Sequence, residues 1–214
     1  SGIDGLGNEA ITISDTSIDA AVLNTLDANT TGIIDASTIT TLSGSASALN
    51  NAYSSSGIDG LGNEAITISD TSINVSALNT LDTNTIGIID ASTITTFSGS
   101  ASALNTAYSS SGIDGLGNEA IFVNSGTSSV FLANNLSAAT SGVVSATLSD
   151  GDMATLANLN ENGNAYTITI SDTSIDAAVL NTLDGKTTSS INAATVTTLS
   201  GSSSALNTAY SSSG

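Results

Sequence analysis

Short stretches in which apolar and polar residues alternate recur along the chain. Residues 39–42 and 196–199 carry one extra polar residue and predict strands that contain a bulge. A second short strand is expected ahead of these, as at residues 32–36. Three stretches read Ile-Thr-Ile, a pattern typical of half-buried strands, and they lie at residues 11–13, 66–68 and 168–170.

Segments with apolar residues at helical spacing follow the strands. In residues 14–27 the apolar stripe predicts a helix that begins at the N-cap Thr16, with Asp19 three residues later as its capping-box partner. Thr71 and Thr173 begin the corresponding helices of later copies. A second kind of helix, shorter and with a narrower apolar face, is expected after each of three glycines: Gly44, Gly99 and Gly201.

The whole pattern repeats over a fixed length. Residues 1–55 and 56–110 differ at only eight paired positions, and residues 165–214 return to the same pattern after a divergent stretch at 111–164. We therefore expect residues 1–214 to form a single repeat array. Within each block a shorter pattern recurs, marked by an asparagine that follows Leu or Ala. These asparagines are Asn24, Asn50, Asn79, Asn105, Asn134, Asn158, Asn181 and Asn207.

The eight asparagine markers predict eight coils. Each coil is expected to contain two short β-strands and one short α-helix, and to bury its apolar face only by stacking on its neighbours. The predicted fold class is therefore α/β, a parallel solenoid of about eight coils. The handedness rule for parallel crossovers favours a right-handed winding.

Composition restricts the function. Against 19 Asp and Glu residues stands a single basic residue, Lys186, so the formal net charge is −18. A nucleic-acid surface needs clustered Lys or Arg, so nucleic acid is excluded as a partner and cations are favoured. No apolar run is long enough to span a bilayer, so no membrane insertion is expected. The apolar fraction of 39% nevertheless predicts an ordered core.

Catalytic groups are scarce. The chain has no His and no Cys, and its serines lack a base, so only pairs of carboxylates could act as acid and base, as in glycoside hydrolysis. We therefore predict that the chain is not an enzyme and carries no organic cofactor.

The asparagine column is the sharpest recurring polar feature, and three interpretations of it stay open. The side-chain amides could face inward and bind the backbone from coil to coil, which would fix the register of the stack. They could instead lie on the helix surface. A role in ligand binding at every coil is the third interpretation, although it would be unusual for a buried position.

A threonine column is expected on the outward side of successive strands, where Phe122 interrupts it. Regular threonine ranks on a flat parallel sheet resemble those of ice-binding β-solenoids. Thr is also a favoured strand residue, so ordinary β-propensity is the alternative explanation. The column consists of Thr12, Thr40, Thr67, Thr95, Thr169 and Thr197.

The segment Gly-Ile-Asp-Gly-Leu-Gly-Asn-Glu occurs three times. Its carboxylate and amide oxygens are hard ligands of the kind that Ca²⁺ takes. One such loop supplies too few oxygens for a complete site, so either calcium bridges neighbouring chains or the segment is a Gly-rich turn with solvated acids. The candidate metal ligands are Asp4, Asn8, Glu9, Asp59, Asn63, Glu64, Asp114, Asn118 and Glu119.

Residues 35–73, which run from Asp-Ala-Ser-Thr-Ile-Thr to Ser-Asp-Thr-Ser-Ile, resemble repeats of very large secreted cell-surface proteins of marine cyanobacteria, of the kind associated with swimming without flagella. The resemblance covers nearly the whole chain outside residues 122–164. It implies an extracellular location at the cell surface and a spacer or envelope function, together with calcium, and it transfers no catalytic residues.

These observations predict a structural repeat module of an extracellular surface-layer or filament protein. It would act as a rigid spacer or as a scaffold that associates with itself, end to end or side by side. Both ends of the chain are expected to lie within a longer array. The alternative is a binding module, either for ice through the threonine column or for calcium and glycans as an adhesin.

Overall fold

The structure is a computed structural model that describes residues 4–212. Ser1, Gly2 and Ile3, which belong to the first predicted block and its Gly-Ile-Asp segment, lie outside the described residues, as do Ser213 and Gly214. Eight helices are found in the described part of the chain. They are α1 (Ala20–Asn29), α2 (Ala46–Ser54), α3 (Val75–Asn84), α4 (Ala101–Ser109), α5 (Val130–Ala139), α6 (Met153–Leu156), α7 (Ala177–Asp184) and α8 (Ser203–Ser211).

Short strands precede every helix. They are β1 (Ile11–Thr12), β2 (Ser17–Asp19), β3 (Ile34–Asp35), β4 (Thr41–Gly44), β5 (Ile58–Asp59), β6 (Ala65–Ile68), β7 (Ser72–Asn74), β8 (Ile89–Asp90), β9 (Thr96–Gly99), β10 (Ile113–Asp114), β11 (Ala120–Val123), β12 (Val144–Thr147), β13 (Ala165–Thr169), β14 (Ser174–Asp176), β15 (Ile191–Asn192) and β16 (Thr198–Ser200). We call each helix with its preceding strands a repeat.

The predicted α/β class is confirmed, with parallel strands and about eight strand–helix repeats. The expectation of two strands for every repeat is too simple. Three strands precede α3 and only one precedes α6. The extra strand arises because the Gly-rich segment at residues 57–64 contributes β5 before the Ile-Thr-Ile strand β6 begins.

The chain divides into two compact units. The first contains the residues up to Thr95 together with Thr106–Leu116, and the second contains Thr96–Asn105 together with the residues from Gly117 onward. In the first unit the strands follow the orders β1-β3-β5 and β10-β8-β6-β4-β2, and these neighbouring strands are parallel. Ile34 pairs with Ile58, 24 positions later, so one repeat spans about 24 residues.

In the second unit the strands follow the orders β15-β13-β12-β11-β9 and β14-β16, again in parallel. Ile175 pairs with Leu199, 24 positions later, as in the first unit. Ala146 pairs with Tyr166 after only 20 positions. The divergent stretch therefore keeps the parallel register while it shortens the repeat.

Each unit has its own apolar core, built from the inward side chains of strands and helices. In the first unit Leu42, Leu49 and Leu78 are completely buried, and in the second unit Ile121 and Leu156 are. Burial of such a side chain contributes about 1.5–3 kcal/mol relative to its exposure. The core is thin, because Ala residues such as those at positions 46, 52 and 101 fill many of the helix positions that face it.

The long helices begin later than the sequence pattern predicts. Thr16 is not an N-cap, because the chain continues as strand β2 and the helix α1 is capped by Asp19, whose Oδ1 accepts from Ala21 N at 2.8 Å. Asn74 caps α3 in the same way. The short helices begin where they were predicted, directly after the glycine and its following serine cap, as at Ser45.

None of the helices in residues 4–212 is long and apolar enough to cross a lipid bilayer.

Candidate functional site

The polar side chains that recur with the repeat connect one repeat to the next. Asn24 Nδ2 donates to Ala48 O at 2.8 Å, and Asn50 Nδ2 donates to Ala77 O at 2.9 Å. In both cases a side chain on one helix binds the main chain of the following helix. Because a hydrogen bond has a narrow range of distances and angles, each such contact fixes the register of two neighbouring helices.

The second unit contains the same contacts. Asn134 Nδ2 donates to Asn158 O at 2.8 Å, and Asn134 Oδ1 accepts from Asn160 N at 3.0 Å. Asn181 Nδ2 donates to Ala205 O at 2.9 Å.

Two of the other asparagines of the predicted column, Asn158 and Asn207, have different surroundings. Asn158 binds carbonyl groups of its own helical turn, Ala154 O and Thr155 O. Asn79 and Asn105 are half-buried, and Asn207 is exposed.

Aspartates form a second set of contacts, directed the opposite way along the chain. Asp70 Oδ2 accepts from Ala46 N at 2.7 Å, so an aspartate of one repeat caps the helix α2 of the preceding repeat. The carboxylate also lies at the positive end of that helix dipole. Asp150 does the same for Val130 N at 2.7 Å, and Asp172 for Met153 N at 2.6 Å. This role was not predicted, although a signal is present in the sequence, where each of these aspartates ends a recurring Ser-Asp pair.

A third set of contacts joins the C-terminal ends of successive helices. Ser55 Oγ donates to Asp27 Oδ2 at 2.7 Å, and the same pair recurs as Ser110 with Asp82 at 2.8 Å. A Cβ atom added at Gly57 would lie 2.1 Å from Asp27 Oδ1. A side chain at this position, two residues after Ser55, would therefore force the Asp27 carboxylate to move.

A buried tyrosine–glutamate pair lies inside the first unit. Glu64 is completely buried, and its carboxylate accepts from Gly62 N at 2.9 Å and from the Tyr53 hydroxyl at 2.7 Å. Burial, together with the hydrogen bond to Glu64, raises the pKa of Tyr53. The carboxylate is thus held by donors from its own turn and from the preceding helix, with no basic residue beside it. A recurring signal was present in the sequence, because Tyr53–Glu64 and Tyr108–Glu119 share a spacing of 11 residues.

One tyrosine takes the place of the glutamate in the second unit, where the main pattern resumes after the divergent stretch. Thr85 Oγ1 donates to Glu64 O, and Thr187 Oγ1 donates to Tyr166 O, so Tyr166 and Glu64 occupy equivalent positions. Tyr166 is 1% exposed, and burial raises the pKa of its hydroxyl. A single large side chain therefore fills a position that elsewhere holds a buried carboxylate.

The candidate calcium ligands fall into two environments. Glu64 and Glu119 are completely buried and accept hydrogen bonds from Gly62 N and Gly117 N. Glu9 is exposed, and main-chain hydrogen bonds from Gly7 and Asn8 lower its pKa. The remaining candidates are exposed, namely Asp4, Asn8, Asp59, Asn63, Asp114 and Asn118. Within residues 4–212 no three His, Cys, Asp or Glu side chains lie close enough together to hold a metal ion.

The recurring turn geometry accounts for hydrogen bonds of all three glutamates. In each copy the glutamate carboxylate accepts from the main chain of its own Gly-Leu-Gly turn, at 2.7 Å in the first copy and 2.9 Å in the next two. The exposed Asp59 uses its Oδ1 atom to accept from Gly60 N at 2.8 Å. The segment therefore acts as a turn that its own acidic side chains stabilise.

Exposed aspartates lie side by side on neighbouring strands. Asp35 pairs with Asp59, and Asp90 pairs with Asp114, so each pair of carboxylates stands on adjacent parallel strands. Hydrogen bonds from the Ser37 side chain and main chain lower the pKa of Asp35, and Ser92 does the same for Asp90. These rows keep a dense negative charge at the surface of the first unit.

The predicted threonine column does not form one row. Thr12 pairs with Asp35 rather than with another threonine, and Thr67 lies between Ser43 and Asp90. Thr40 lies before its strand and donates its hydroxyl to Thr16 O at 3.1 Å. Thr95 and Thr197 make the same contact with the main chain of the preceding repeat at 3.0 Å. The threonines therefore divide between strand positions and cross-repeat contacts, because the two kinds of repeat differ in where their strands begin.

The single lysine is engaged with the main chain. Lys186 Nζ donates to Asn160 O at 2.9 Å. The cation thus satisfies a carbonyl group of the divergent stretch, 26 residues earlier in the sequence.

Comparisons with protein-family models, with characterised proteins and with solved structures find no match for this chain.

Proposed function

We propose that this chain is a structural repeat module of an extracellular protein, located at a cell surface, in a surface layer or in a filament. In this proposal the repeats wind as a parallel solenoid of about eight right-handed coils, and the module acts as a rigid spacer or a self-assembling scaffold. The proposed role is mechanical and non-catalytic.

The observation that carries this proposal is the set of side-chain hydrogen bonds between successive repeats. Between the repeat of α2 and the repeat of α3, three contacts of different chemistry act together: Asn50 with Ala77 O, Asp70 with Ala46 N and Tyr53 with Glu64. Each contact contributes about 0.5–1.5 kcal/mol, or more where a carboxylate is involved. Such contacts resist both sliding and separation of neighbouring repeats, which is what a spacer requires.

The surface supports an extracellular role. The charge of −18 is spread over exposed strand ends such as Asp35, Asp59, Asp90 and Asp114. A densely acidic surface stays hydrated and repels other acidic surfaces, which keeps a long array extended and prevents non-specific adhesion to nucleic acid or anionic lipid. The resemblance of residues 35–73 to repeats of secreted cyanobacterial surface proteins agrees with this location.

The location is tested by immunogold electron microscopy of the source cells with antibodies raised against the chain. We expect gold particles on the outside of intact cells. Labelling that requires permeabilised cells and follows the cytoplasm would contradict the proposal.

The mechanical role is tested on tandem arrays of two and four copies of the chain by small-angle X-ray scattering. Eight coils that rise about 4.8 Å each should add roughly 40 Å to the maximum dimension for every copy. Flexibly linked copies would instead give a dimension that grows with about the square root of the copy number. That second outcome would exclude a rigid spacer.

A further inference from the structure

A single asparagine–glycine pair occurs in the sequence, and it lies in the loop between α6 and β13. The pair is Asn162–Gly163. Both residues are exposed and belong to neither a helix nor a strand. Gly163 has φ +84°, and apart from its chain neighbours no atom lies within 4 Å of a Cβ atom added there. The pair is therefore surrounded by open space on the surface of the second unit.

The polar groups of this pair make no hydrogen bonds within the described part of the chain. The Gly163 N–H donates to none of residues 4–212, and the Asn162 side-chain amide has no partner among them. In a helix, by contrast, the N–H that follows an asparagine is committed to the helical hydrogen bonds. The main-chain nitrogen of Gly163 is thus accessible to water and to the side chain beside it.

We propose that Asn162 is a site of spontaneous deamidation, at which the folded chain modifies itself without an enzyme. Hydroxide removes the proton of the Gly163 nitrogen, and this nitrogen attacks Cγ of Asn162. The bond between Cγ and Nδ2 breaks, and the amide nitrogen takes a proton from water and leaves as ammonia. The product is a succinimide ring. Water then opens the ring, at Cγ to give aspartate or at the main-chain carbonyl carbon to give isoaspartate.

Glycine at position 163 favours this reaction, because a side chain there would crowd the attacking nitrogen. Asn124–Ser125 provides a comparison inside the same unit. These two residues are also exposed and lie outside the helices and strands, but Ser125 carries a side chain. The main chain is also held there, because Asn124 N donates to Gly99 O at 3.1 Å. Asn124 should therefore react more slowly than Asn162.

The residues on either side of the pair are held by neighbouring repeats. Asn160 N donates to Asn134 Oδ1 at 3.0 Å, and Asn160 O accepts from Lys186 Nζ at 2.9 Å. On the other side Asn164 is buried, and its Oδ1 accepts from Val144 N at 2.8 Å. Residues 161–163 therefore span the gap between two anchored ends.

The two products affect this loop differently. Aspartate adds a negative charge and leaves the main chain unchanged. Isoaspartate adds the same charge and also lengthens the main chain by a methylene group between the anchored ends. The extra group displaces Asn164 and leaves the buried Val144 N–H without its acceptor, which is unfavourable. Isoaspartate formation should therefore destabilise the second unit, and aspartate formation should not.

The test is incubation of the intact chain at mildly alkaline pH, well below its melting temperature. Peptide mass spectrometry locates the modification, and an isoaspartate-specific methyltransferase quantifies the isoaspartate. We expect a mass gain of about 1 Da in the peptide that contains Asn162. The rate should rise with pH, because the attacking nitrogen must lose its proton. Asn124 should react at least about tenfold more slowly.

Three variants test the chemistry and its consequence. Asn162→Gln should not be modified, because glutamine would have to close a larger ring. Gly163→Asp places a side chain beside the attacking nitrogen and should slow the reaction at least about tenfold. Aspartate tolerates positive φ better than most residues do, so the loop keeps its shape. Freshly purified Asn162→Asp should melt like the parent, whereas incubated parent chain rich in isoaspartate should melt at a lower temperature.

The parent chain unfolded in urea supplies the reference rate, and circular dichroism before incubation checks that each variant is folded. The native chain should be modified at no less than about a tenth of the rate of the unfolded chain. A native chain that stays unmodified at Asn162 while the unfolded chain reacts would overturn the proposal. Equal rates at Asn124 and Asn162, or unchanged modification in Gly163→Asp, would also overturn it. If the isoaspartate-rich chain melts like Asn162→Asp, the strain on Asn164 is refuted.

Discussion

A glycine that follows the cross-repeat threonine gives the sharpest test of how tightly the repeats approach each other. In the second unit this residue is Gly142, and a Cβ atom added there would lie 2.2 Å from Glu119 O and 2.8 Å from Ala120 N. Both neighbours are main-chain atoms, so no side chain can rotate away. We predict that Gly142→Ala destabilises the second unit.

The size of the effect follows from the bonds that must move. A Cβ atom needs roughly 1 Å more room than is present, so the Gly142 segment must shift away from the preceding repeat. That shift strains two hydrogen bonds, from Thr140 Oγ1 to Glu119 O at 2.7 Å and from Ser141 N to Gly117 O at 2.8 Å. Ser189 holds the equivalent place near the end of the chain, which shows that the main chain can make room. The expected loss is therefore about 2–3 kcal/mol, the worth of these bonds.

Thermal unfolding of the matched variant Gly185→Ala provides the control. Gly185 has φ −66° and ψ −11°, and the nearest atom to an added Cβ lies at 3.5 Å. This alanine should stabilise the chain by about 0.4–1 kcal/mol, because it restricts the unfolded state. Gly142→Ala should lower the melting temperature by about 4–12 °C and Gly185→Ala should raise it slightly. A melting temperature for Gly142→Ala at or above that of the parent would refute the close approach.

Three further measurements test the polar contacts. Asn50→Ala should reduce the free energy of unfolding in urea by about 1 kcal/mol through loss of its cross-repeat bond, whereas Asn51→Ala, on the exposed side of the same helix, should change it by less than about 0.5 kcal/mol. The pKa of Tyr53 is raised, so ultraviolet titration should show one phenol that ionises well above about pH 10, and this phenol should be absent from Tyr53→Phe. The stability that this raised pKa contributes is present below about pH 10 and is lost as the pH rises through the pKa of the folded state. The main-chain and side-chain hydrogen bonds from Thr155 lower the pKa of Asp152. The stability that Asp152 contributes is therefore present above about pH 4 and is lost as the pH falls through the pKa of the folded state. The difference in melting temperature between the parent and Asp152→Ala should shrink as the pH is lowered from neutral to strongly acidic.

The alternation of strands and helices in about eight repeats could be predicted from the sequence because it depends on the apolar pattern. Ile-Thr-Ile stretches became β1, β6 and β13, and the short helices begin after their glycine as expected. The start of the long helices could not be predicted in this way. The sequence of residues 16–19 is compatible with a capping box and with a strand. The structure has the strand, because Ile18 pairs with Leu42 of the next repeat.

The candidate site was predictable in part. The asparagine spacing identified side chains that lie between repeats, and Asn24 and Asn181 do bind the main chain of the next helix. The threonine row was not formed, because a column in the sequence becomes a row only when the strands pair at those residues. The pairing of Thr67 with Asp90 depends on the register of whole strands, which short patterns do not specify.

The near-identity of the interfaces has a consequence for how such a gene can change. Residues 39–55 contact residues 59–85 through side chains that recur 55 positions apart in the sequence. Duplication or loss of a 55-residue segment therefore joins repeats through an interface that the protein already contains. Unequal recombination can therefore lengthen or shorten the protein in whole steps without a folding penalty.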